Sequence, residues 1–387
     1  MKKLSFLVLM SVFSFVIKAQ TIEKTYHFDN PSVSKLMGYD VISFEGTMQN
    51  AEVGCPSLPW QSVSLLLPNG MEAASIKVEL SDFQELDGVY NLLPKQADLP
   101  YSQAEKFVFA KNDAVYSSKE IYPSNNEGNL TTNFKNGYGF AFSAFTPVRY
   151  VPSTGKVEFA RKAKVTINTS NSKSDHSAML RNTSSVKESV RRLAQNPEMM
   201  ETYETREMIY DGYDILIVTG NQYVNGFDEY VEYYNGIGWR THITTVEEIY
   251  SAMEGRDNAE KIRNYVIQEY QDNGISTLIL GGDIDIVPYR GLYCYVSDEY
   301  EDWSIPADLY FAGLDGTWND NNNNKWGEIG EDDLLPEIGV ARLPFNNAQQ
   351  QNNMIHKTLT YQQNPVLGEF QHITFGSEWM SDTGPTY

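Results

Sequence analysis

Tyr213-Asp-Ile-Leu-Ile-Val-Thr219 is a nearly continuous apolar run of strand length. A strand without polar alternation is typical of a parallel sheet that is buried on both faces. The following residues predict a helix over 227–235, which Gly236 ends, and a second strand at Arg240–Thr244. Strand and helix therefore alternate from Tyr210 onward, and this order predicts an α/β fold with a parallel sheet.

The same alternation continues along the rest of the chain. Asp257-Asn-Ala-Glu260 has the spacing of a capping box and predicts a helix that ends near Gly274. Thr277–Leu280 is a third apolar run of strand length. Further elements are predicted at Ile338–Arg342 (strand), 347–362 (helix) and His372–Phe375 (strand).

Residues 20–170 have a different pattern, with short, partly alternating apolar runs separated by Gly, Pro and Asn. Such runs predict antiparallel strands in a sandwich or barrel. The clearest runs are Gln61–Leu67, Ile76–Leu80, Lys106–Phe109 and Lys164–Ile167. An all-β domain is therefore expected before the α/β domain, which we place at residues 210–387.

Residues 171–209 connect the two domains and are rich in Ser, Asn, Thr and charged residues, with few apolar positions to bury. This composition predicts a linker. Arg192, in the pair Arg191-Arg192, and Arg206 near the end of the tract are candidate processing sites, because a protease reaches exposed backbone easily.

Residues 1–19 predict a secretory signal peptide. Lys2 and Lys3 precede the apolar run Leu4–Ile17, and Ala19 is a small residue before a cleavage point expected near Gln20. The run is too short to span a membrane, and no later stretch reaches about 20 apolar residues. An uncleaved amphipathic anchor is the alternative. We therefore expect a secreted protein, extracellular or at the cell surface, without a membrane span.

The charge balance restricts the function. The 387 residues carry 30 basic and 51 acidic side chains, a formal net charge of -21. Such a surface repels phosphates, which excludes a nucleic-acid partner, and it favours hard cations such as calcium. Two cysteines in this length exclude a disulfide-stapled scaffold. An apolar fraction of 41% excludes a wholly disordered chain.

The segment Asp315–Glu328 is rich in short side chains that carry oxygen. Calcium takes about six to eight oxygen ligands and tolerates irregular geometry. The candidate ligands are alternate residues, as in calcium loops: Asp320, Asn322, Asn324, the carbonyl oxygen of Trp326 and Glu328, with Asp315 as an extra ligand. The glycine and the glutamate do not stand at EF-hand positions, so an Asn-rich turn without metal is the alternative interpretation.

Other site motifs are missing from the sequence. Gly220–Gly226 lacks the closely spaced glycines of a dinucleotide site, and no Gly-x-Ser-x-Gly or phosphate-loop motif occurs. Cys294 lies in a predicted strand, where we expect it to be buried, and Cys55 is expected to be structural. The five histidines show no metal-binding spacing.

Several segments of the α/β part resemble the gingipain-type cysteine peptidase domain. They are Tyr213–Gly220, Gly238–Arg240, Leu278–Pro288, Ala307–Tyr310, Asp315–Glu328, Ile338–Leu343 and Tyr361. The first part is similar to the gingipain propeptide at Gly54–Pro59 and Phe145–Tyr150, and this half is the weaker match.

The resemblance implies a secreted zymogen, in which a β-rich propeptide blocks its own peptidase domain and that domain has a caspase-like parallel sheet. In such enzymes a Cys attacks the scissile carbonyl of a protein or peptide substrate and a His moves the proton. The family's His-Gly motif and Cys follow the strand near Phe375. We therefore expect an incomplete sheet, a truncated chain without the catalytic pair, and no activity for the chain as given.

The resemblance also assigns roles to individual residues. Glu378 falls where the family has an acid that orients the catalytic His. Asp283, Asp308 and Glu328 correspond to family calcium sites, so structural calcium is the implied cofactor. The alternative function is a secreted, non-enzymatic calcium-binding or adhesion module, which the acidic surface and the missing nucleophile also permit.

Overall fold

The computed structural model describes residues 20–97, 105, 107–203, 212–297, 300–370, 372–373, 379–381 and 384–385. The predicted signal peptide, Arg206 and Glu378 lie outside these residues. No helix among the described residues is long and apolar enough to cross a membrane.

The first part consists mainly of antiparallel strands. Its elements are β1 (Thr21–His27), β2 (Ser32–Leu36), β3 (Tyr39–Ser43), β4 (Thr47–Asn50), β5 (Leu58–Leu66), β6 (Met71–Leu86), α1 (Asp113–Tyr116), β7 (Thr131–Lys135), β8 (Tyr138–Phe145), β9 (Val148–Val151) and β10 (Lys156–Asn171). One sheet has the order β1-β10-β6, with β9 also paired to β10, and another has the order β4-β5-β8-β7. The strands β6 and β10 have 16 residues each and are longer than the short apolar runs predicted.

These two sheets share one apolar core. Val165 of β10 and Ile22 of β1 are buried together with Val63 of β5 and Ala141 of β8, which is the packing of a sandwich. The strand predicted at Lys106–Phe109 is wrong over its described residues, which have no regular structure. The apolar run does not form a strand because it is not buried: Val108 is 82% exposed and packs on neither sheet.

The segment predicted as a linker, 171–209, is folded over much of its described length. Helix α2 (Ser184–Leu193) is capped by the Thr183 side chain, which accepts an amide hydrogen bond from the first turn (3.3 Å). Val190 of this helix is fully buried in a cluster with Leu66. The tract has few apolar residues, but those few pack onto the first part, and composition alone does not reveal such packing.

The second part alternates strands and helices. Its elements are β11 (Ile215–Thr219), α3 (Asp228–Gly236), β12 (Thr241–Thr245), α4 (Val246–Ala252), α5 (Asn258–Asn273), β13 (Thr277–Gly281), β14 (Arg290–Ser297), β15 (Tyr300–Ala307), β16 (Gly339–Leu343), α6 (Ala348–Gln363), α7 (Leu367–Phe370), β17 (Trp379–Ser381) and β18 (Gly384–Pro385). Four strands form a parallel sheet in the order β12-β11-β13-β16. In its register, Ile217 lies beside Ile243 on one side and Ile279 on the other.

Helices cover both faces of this sheet, as predicted. Leu216 and Val218 of β11 share a core with Val266 of α5. The alternate residue Ile217 belongs to a separate core with Ile355 of α6 on the other face. Because successive side chains of a strand point to opposite faces, burial on both sides explains the continuous apolar run of β11.

The predicted helix boundaries are confirmed at α5 and α6. Asp257 caps α5 by accepting a hydrogen bond from the Glu260 amide (2.9 Å), and Gly274 ends this helix with φ +78°. Asn347 caps α6 in the same way. Of the strand predicted at His372–Phe375, the two described residues are not in a strand and the others lie outside the described part.

Candidate active-site edge and acidic loop

The carboxyl ends of the parallel strands form the edge where α/β sheets usually bind ligands. Strands β11 and β13 end there side by side, and Thr219 Oγ1 donates to the carbonyl of Gly281 (2.6 Å). A Cβ at Gly281 would lie 2.7 Å from the Phe227 ring, so glycine is needed at this position. Gly282, with φ +143°, leads into the turn at Asp283. The Asp283 carboxylate accepts the amide hydrogen bond of the next residue (2.8 Å).

Arg342 of β16 holds this turn in place. Its guanidinium donates to the carbonyls of Gly282 (2.9 Å) and Val287 (2.6 Å). It also donates to both carboxylate oxygens of Asp308, at 2.8 and 2.7 Å. The planar guanidinium suits such a two-pronged pair. Both oxygens of Asp308, a predicted calcium ligand, are thus engaged by an arginine.

A cleft of about 360 Å³ lies at the same edge. It is lined by Gly220 after β11, Glu247 in the first turn of α4 and Asp285 after β13. The Glu247 carboxylate is fixed by the amide of Asn221 (3.1 Å). Sequence reasoning did not single out Glu247 or Asp285, because they lie in different connections. Their position shortly after predicted strands is the signal that would have found them.

A second group of charges is buried inside the second part, next to the acidic loop. Asp315, Asp333 and Glu337 are 9%, 7% and 8% exposed, and the guanidinium of Arg263 is buried near them. Arg263 donates to the backbone carbonyls of Gly313 (2.8 Å) and Asp315 (3.0 Å). One carboxylate oxygen of Asp315 and one of Asp333 have no hydrogen-bond partner among the described residues.

Burial shifts the protonation of this cluster. Burial, with a smaller contribution from the Asp315 carboxylate, raises the pKa of Asp333 to about 7 and that of Glu337 to about 9. The neutral form avoids the cost of several negative charges in a nonpolar environment. Glu337 nevertheless accepts backbone amide hydrogen bonds from Leu314 (2.6 Å) and Asn136 (3.1 Å). Asp333, with its unpartnered oxygen, is therefore better placed to hold a proton.

The predicted calcium ligands of the acidic loop have other partners. Glu328 accepts hydrogen bonds from the side-chain amides of Asn321 (2.9 Å) and Asn323 (2.6 Å), which are not members of the predicted set. The carbonyl oxygen of Trp326 accepts the amide hydrogen bond of Tyr293 (2.7 Å). Two of the expected ligand groups thus accept hydrogen bonds from other residues of the protein.

Two of the remaining loop ligands also lie beside other groups of the protein. Asp320 accepts a hydrogen bond from the Thr317 hydroxyl, and Asn322 Oδ1 lies 3.5 Å from Nη1 of Arg256. Asn322 and Asn324 have φ of +57° and +65°, a conformation that asparagine tolerates in tight turns. No group of three or more His, Cys, Asp or Glu side chains in the described part is arranged to hold a metal ion. A calcium ion bound here would have to replace the hydrogen bonds that Asp320 and Glu328 make within the loop.

Calcium binding by the loop stays a prediction, and thermal unfolding tests it. A bound ion stabilises only the folded chain, so the prediction requires that ~1 mM calcium raises the Tm by several degrees. The variant Glu328→Gln should lose most of this increase, because it removes the charged ligand. Magnesium at equal concentration is the control for ionic strength. A wild-type Tm that calcium leaves unchanged would contradict the prediction.

The candidate processing site Arg192 lies in the last turn of α2. Its side chain is 78% exposed and pairs with Glu188 (2.9 Å). The backbone around it is helical, whereas a protease binds extended chain, so cleavage at this site requires α2 to unfold locally.

The two thiols differ in environment. Cys294 lies in β14, as predicted, but it is exposed, so the prediction that it is buried is wrong. The reason is that, within the described part of the chain, β14 and β15 pair only with each other, outside the parallel sheet. Cys55 is buried, and burial raises the pKa of its thiol. A raised pKa disfavours the thiolate that a nucleophile needs.

Two family models match consecutive parts of this sequence. The Propeptide_C25 model matches residues 8–193, and the model of peptidase family C25 matches residues 210–384. The chain belongs to peptidase family C25. The gingipain-type precursor recognised in the sequence is thereby confirmed. No curated protein matches this C25 chain.

The C25 chain is also similar to solved gingipain structures. The complex of the RgpB pro- and mature domains from Porphyromonas gingivalis has 18% identity and a TM-score of 0.37, covering 47% of this chain and 95% of that chain. Gingipain K of the same organism, in a study of its zymogenic latency, has 19% identity and a TM-score of 0.33, covering 41% and 90%. The Arg-specific proteinase gingipain R has 22% identity and a TM-score of 0.28, covering 41% of this chain and 30% of that chain.

Proposed function

We propose that this chain belongs to the precursor of a secreted cysteine endopeptidase of the gingipain type, with the first part as propeptide and the second as part of a caspase-like peptidase domain. The observation that carries the proposal is the order of the two family matches, propeptide at 8–193 and peptidase at 210–384. The signal peptide predicted over residues 1–19 supports export from the cell.

In this proposal the substrate peptide lies at the carboxyl edge of the parallel sheet. Gly281 and Gly282 keep that edge free of side chains, and Arg342 fixes the turn that borders it. Chemistry of this class needs a thiolate that attacks the scissile carbonyl and an imidazole that protonates the leaving amine. No His-Gly dipeptide occurs in the sequence, and neither Cys55 nor Cys294 is assigned the nucleophile role.

The test uses the protein expressed from its natural gene, after the first part has been removed. We expect it to hydrolyse peptide amides, and thiol alkylation to abolish this turnover, because the thiolate is the attacking group. Turnover that survives alkylation, or a product without turnover, would contradict the proposed function.

The 387-residue chain itself is expected to be inactive. Cys294 is exposed, but ring contacts in the described part place His176 on Phe134 and His242 on Tyr213 instead of beside a thiol. Purified chain and the variant Cys294→Ala should both show no amide hydrolysis above background, with equal Tm values as the control for folding. Hydrolysis by the wild type that Cys294→Ala abolishes would overturn this prediction.

A further inference from the structure

A cavity of about 740 Å³ lies in the first part of the chain. A neighbouring cavity of about 440 Å³ shares Asn50, at the end of β4, and Trp60 of β5 with it. The two cavities therefore form one continuous groove, which we call the acidic groove. Each volume lies within the range of about 300–1,000 Å³ that is usual for ligand sites in proteins.

Backbone hydrogen bonds hold the walls of the acidic groove. Gly54, with φ +83°, accepts from the amide of Asn112 (2.9 Å) and donates to the carbonyl of Lys95 (2.7 Å). A Cβ at Gly54 would lie 3.2 Å from the Asn112 amide nitrogen, so glycine allows these two segments to approach closely. Tyr122 and Tyr150 exchange two backbone hydrogen bonds, at 2.7 and 2.9 Å. A groove with walls fixed in this way loses little conformational entropy when a ligand binds.

The charged side chains that line the acidic groove are all negative. Glu52, Glu120 and Glu127 line the larger cavity, and none of the described residues that line either cavity is Lys, Arg or His. Glu127 accepts a hydrogen bond from the amide of Val78 (2.6 Å), which fixes one of its oxygens. Glu52 and Glu120 are exposed, so their carboxylates are accessible to a ligand. This charge pattern favours a cationic ligand.

The aromatic and apolar lining of the acidic groove suits a lysine or arginine side chain. Trp60 and Tyr122 are half-buried and line the larger cavity. The indole N–H of Trp60 donates to the carbonyl of Asn50 (3.2 Å), which holds the ring where the two cavities meet. Aromatic faces attract ammonium and guanidinium groups. Val115 and Ile121 supply apolar surface for the aliphatic stem of such a side chain.

The acidic groove is remote from the contact between the two parts of the chain. Strand β8 begins at Tyr138, next to the Asn136 turn that hydrogen-bonds to Glu337 of the second part. Ser143 and Ala144, near the other end of β8, line the smaller cavity. The six residues from Tyr138 to Ala144 span roughly 20 Å in an extended strand. The groove can therefore bind a ligand while the second part stays in place.

We propose that the acidic groove binds an extended peptide segment of a partner protein through lysine or arginine side chains of that segment. The adjoining cavities accept successive basic side chains, with Glu52 and Glu120 as their counter-charges and Trp60 between them. The proposal goes beyond the proposed function, because it gives the first part a ligand of its own and involves no peptidase chemistry.

Fluorescence anisotropy tests the proposal with the 387-residue chain. The probe is a labelled peptide of eight residues that alternates lysine and glycine. We expect saturable binding in buffer with ~0.15 M salt, where charges more than ~8 Å apart are largely screened. A peptide with glutamine in place of lysine should bind ~10-fold more weakly or worse, because it lacks the charge that the carboxylates recognise.

Two variants locate the binding in the acidic groove. Glu52→Gln/Glu120→Gln removes the accessible carboxylates and should weaken binding of the lysine peptide by ~10-fold or more. Ala114→Trp keeps every charge but fills part of the larger cavity, and it should weaken binding to a similar degree. Equal Tm values of the variants and the wild type are the control for folding.

Glu45→Gln/Glu201→Gln is the matched control, because it removes two exposed carboxylates that do not line the groove. It should change the dissociation constant by less than ~2-fold, since these charges are screened from the groove. Absence of saturable binding, equal affinity for the lysine and glutamine peptides, or equal weakening by the test and control pairs would overturn the proposal. Binding of a neutral oligosaccharide such as cellohexaose, without binding of the lysine peptide, would also overturn it and assign the groove to a sugar.

Discussion

Replacing Arg263 by methionine is expected to lower the free energy of unfolding by about 3–5 kcal/mol. Arg263 is 5% exposed, and its guanidinium donates to the backbone carbonyls of Tyr310 (3.0 Å), Gly313 (2.8 Å) and Asp315 (3.0 Å). Its positive charge also counteracts part of the rise that burial causes in the pKa of Asp333. Methionine fills similar volume but leaves the carbonyls unpaired and the acids without a countercharge, which is the costly case for a buried ion.

Chemical denaturation of the wild type and Arg263→Met measures this difference. The matched control is Arg256→Met, which removes a more exposed arginine that pairs with Glu260 at 2.9 Å. An exposed pair of this type contributes under about 1 kcal/mol. If both variants lose similar stability, the buried guanidinium has no special role and the interpretation of the cluster is wrong.

The fold of the second part could be predicted because its signals are local. The continuous apolar run of β11 indicates a strand that is buried on both faces. Asp257 and Gly274 mark the ends of α5, because Asp257 caps the first turn with its side chain and Gly274 adopts the left-handed conformation. The linker prediction failed for the opposite reason. Val190 and Tyr203 lie in a tract that is polar overall, and they become core residues only through contact with distant strands.

The candidate site was less predictable than the sheet. Sequence spacing predicts that Asp320 and Glu328 share a calcium ion, and it does not show that side-chain amides of the same loop hydrogen-bond to Glu328. The buried acids Asp315, Asp333 and Glu337 come together with Arg263 only through the tertiary fold. Asn136 contacts Glu337 of this cluster although the two residues are about 200 positions apart in the sequence. A contact between residues so far apart produces no periodic pattern in the sequence.

The acidic cluster predicts that stability falls as the pH rises from about 4 to about 7. Burial and the neighbouring Asp315 raise the pKa of Asp333 to about 7, against about 3.9 in an unfolded chain. The folded state therefore binds this proton more tightly than the unfolded state. The stabilisation is fully present below about pH 4 and is lost as the pH rises through about 7, to a maximum loss of about 4 kcal/mol. Glu337, whose pKa is raised as well, acts in the same direction.

Asp333→Asn separates the contribution of this carboxyl group from that of the other titratable groups, because asparagine resembles the neutral acid at every pH. Its side-chain nitrogen would replace the unpartnered oxygen and supply a donor beside the Asp315 carboxylate. In chelator-containing buffer we expect a flatter dependence of the unfolding free energy on pH, and stability equal to or above the wild type near pH 8. Asp332→Asn, at the partly exposed neighbouring position, should follow the wild-type profile. Parallel profiles for the wild type and Asp333→Asn would show that this carboxyl group is already ionised at pH 5, and that the cluster holds its charges without a proton.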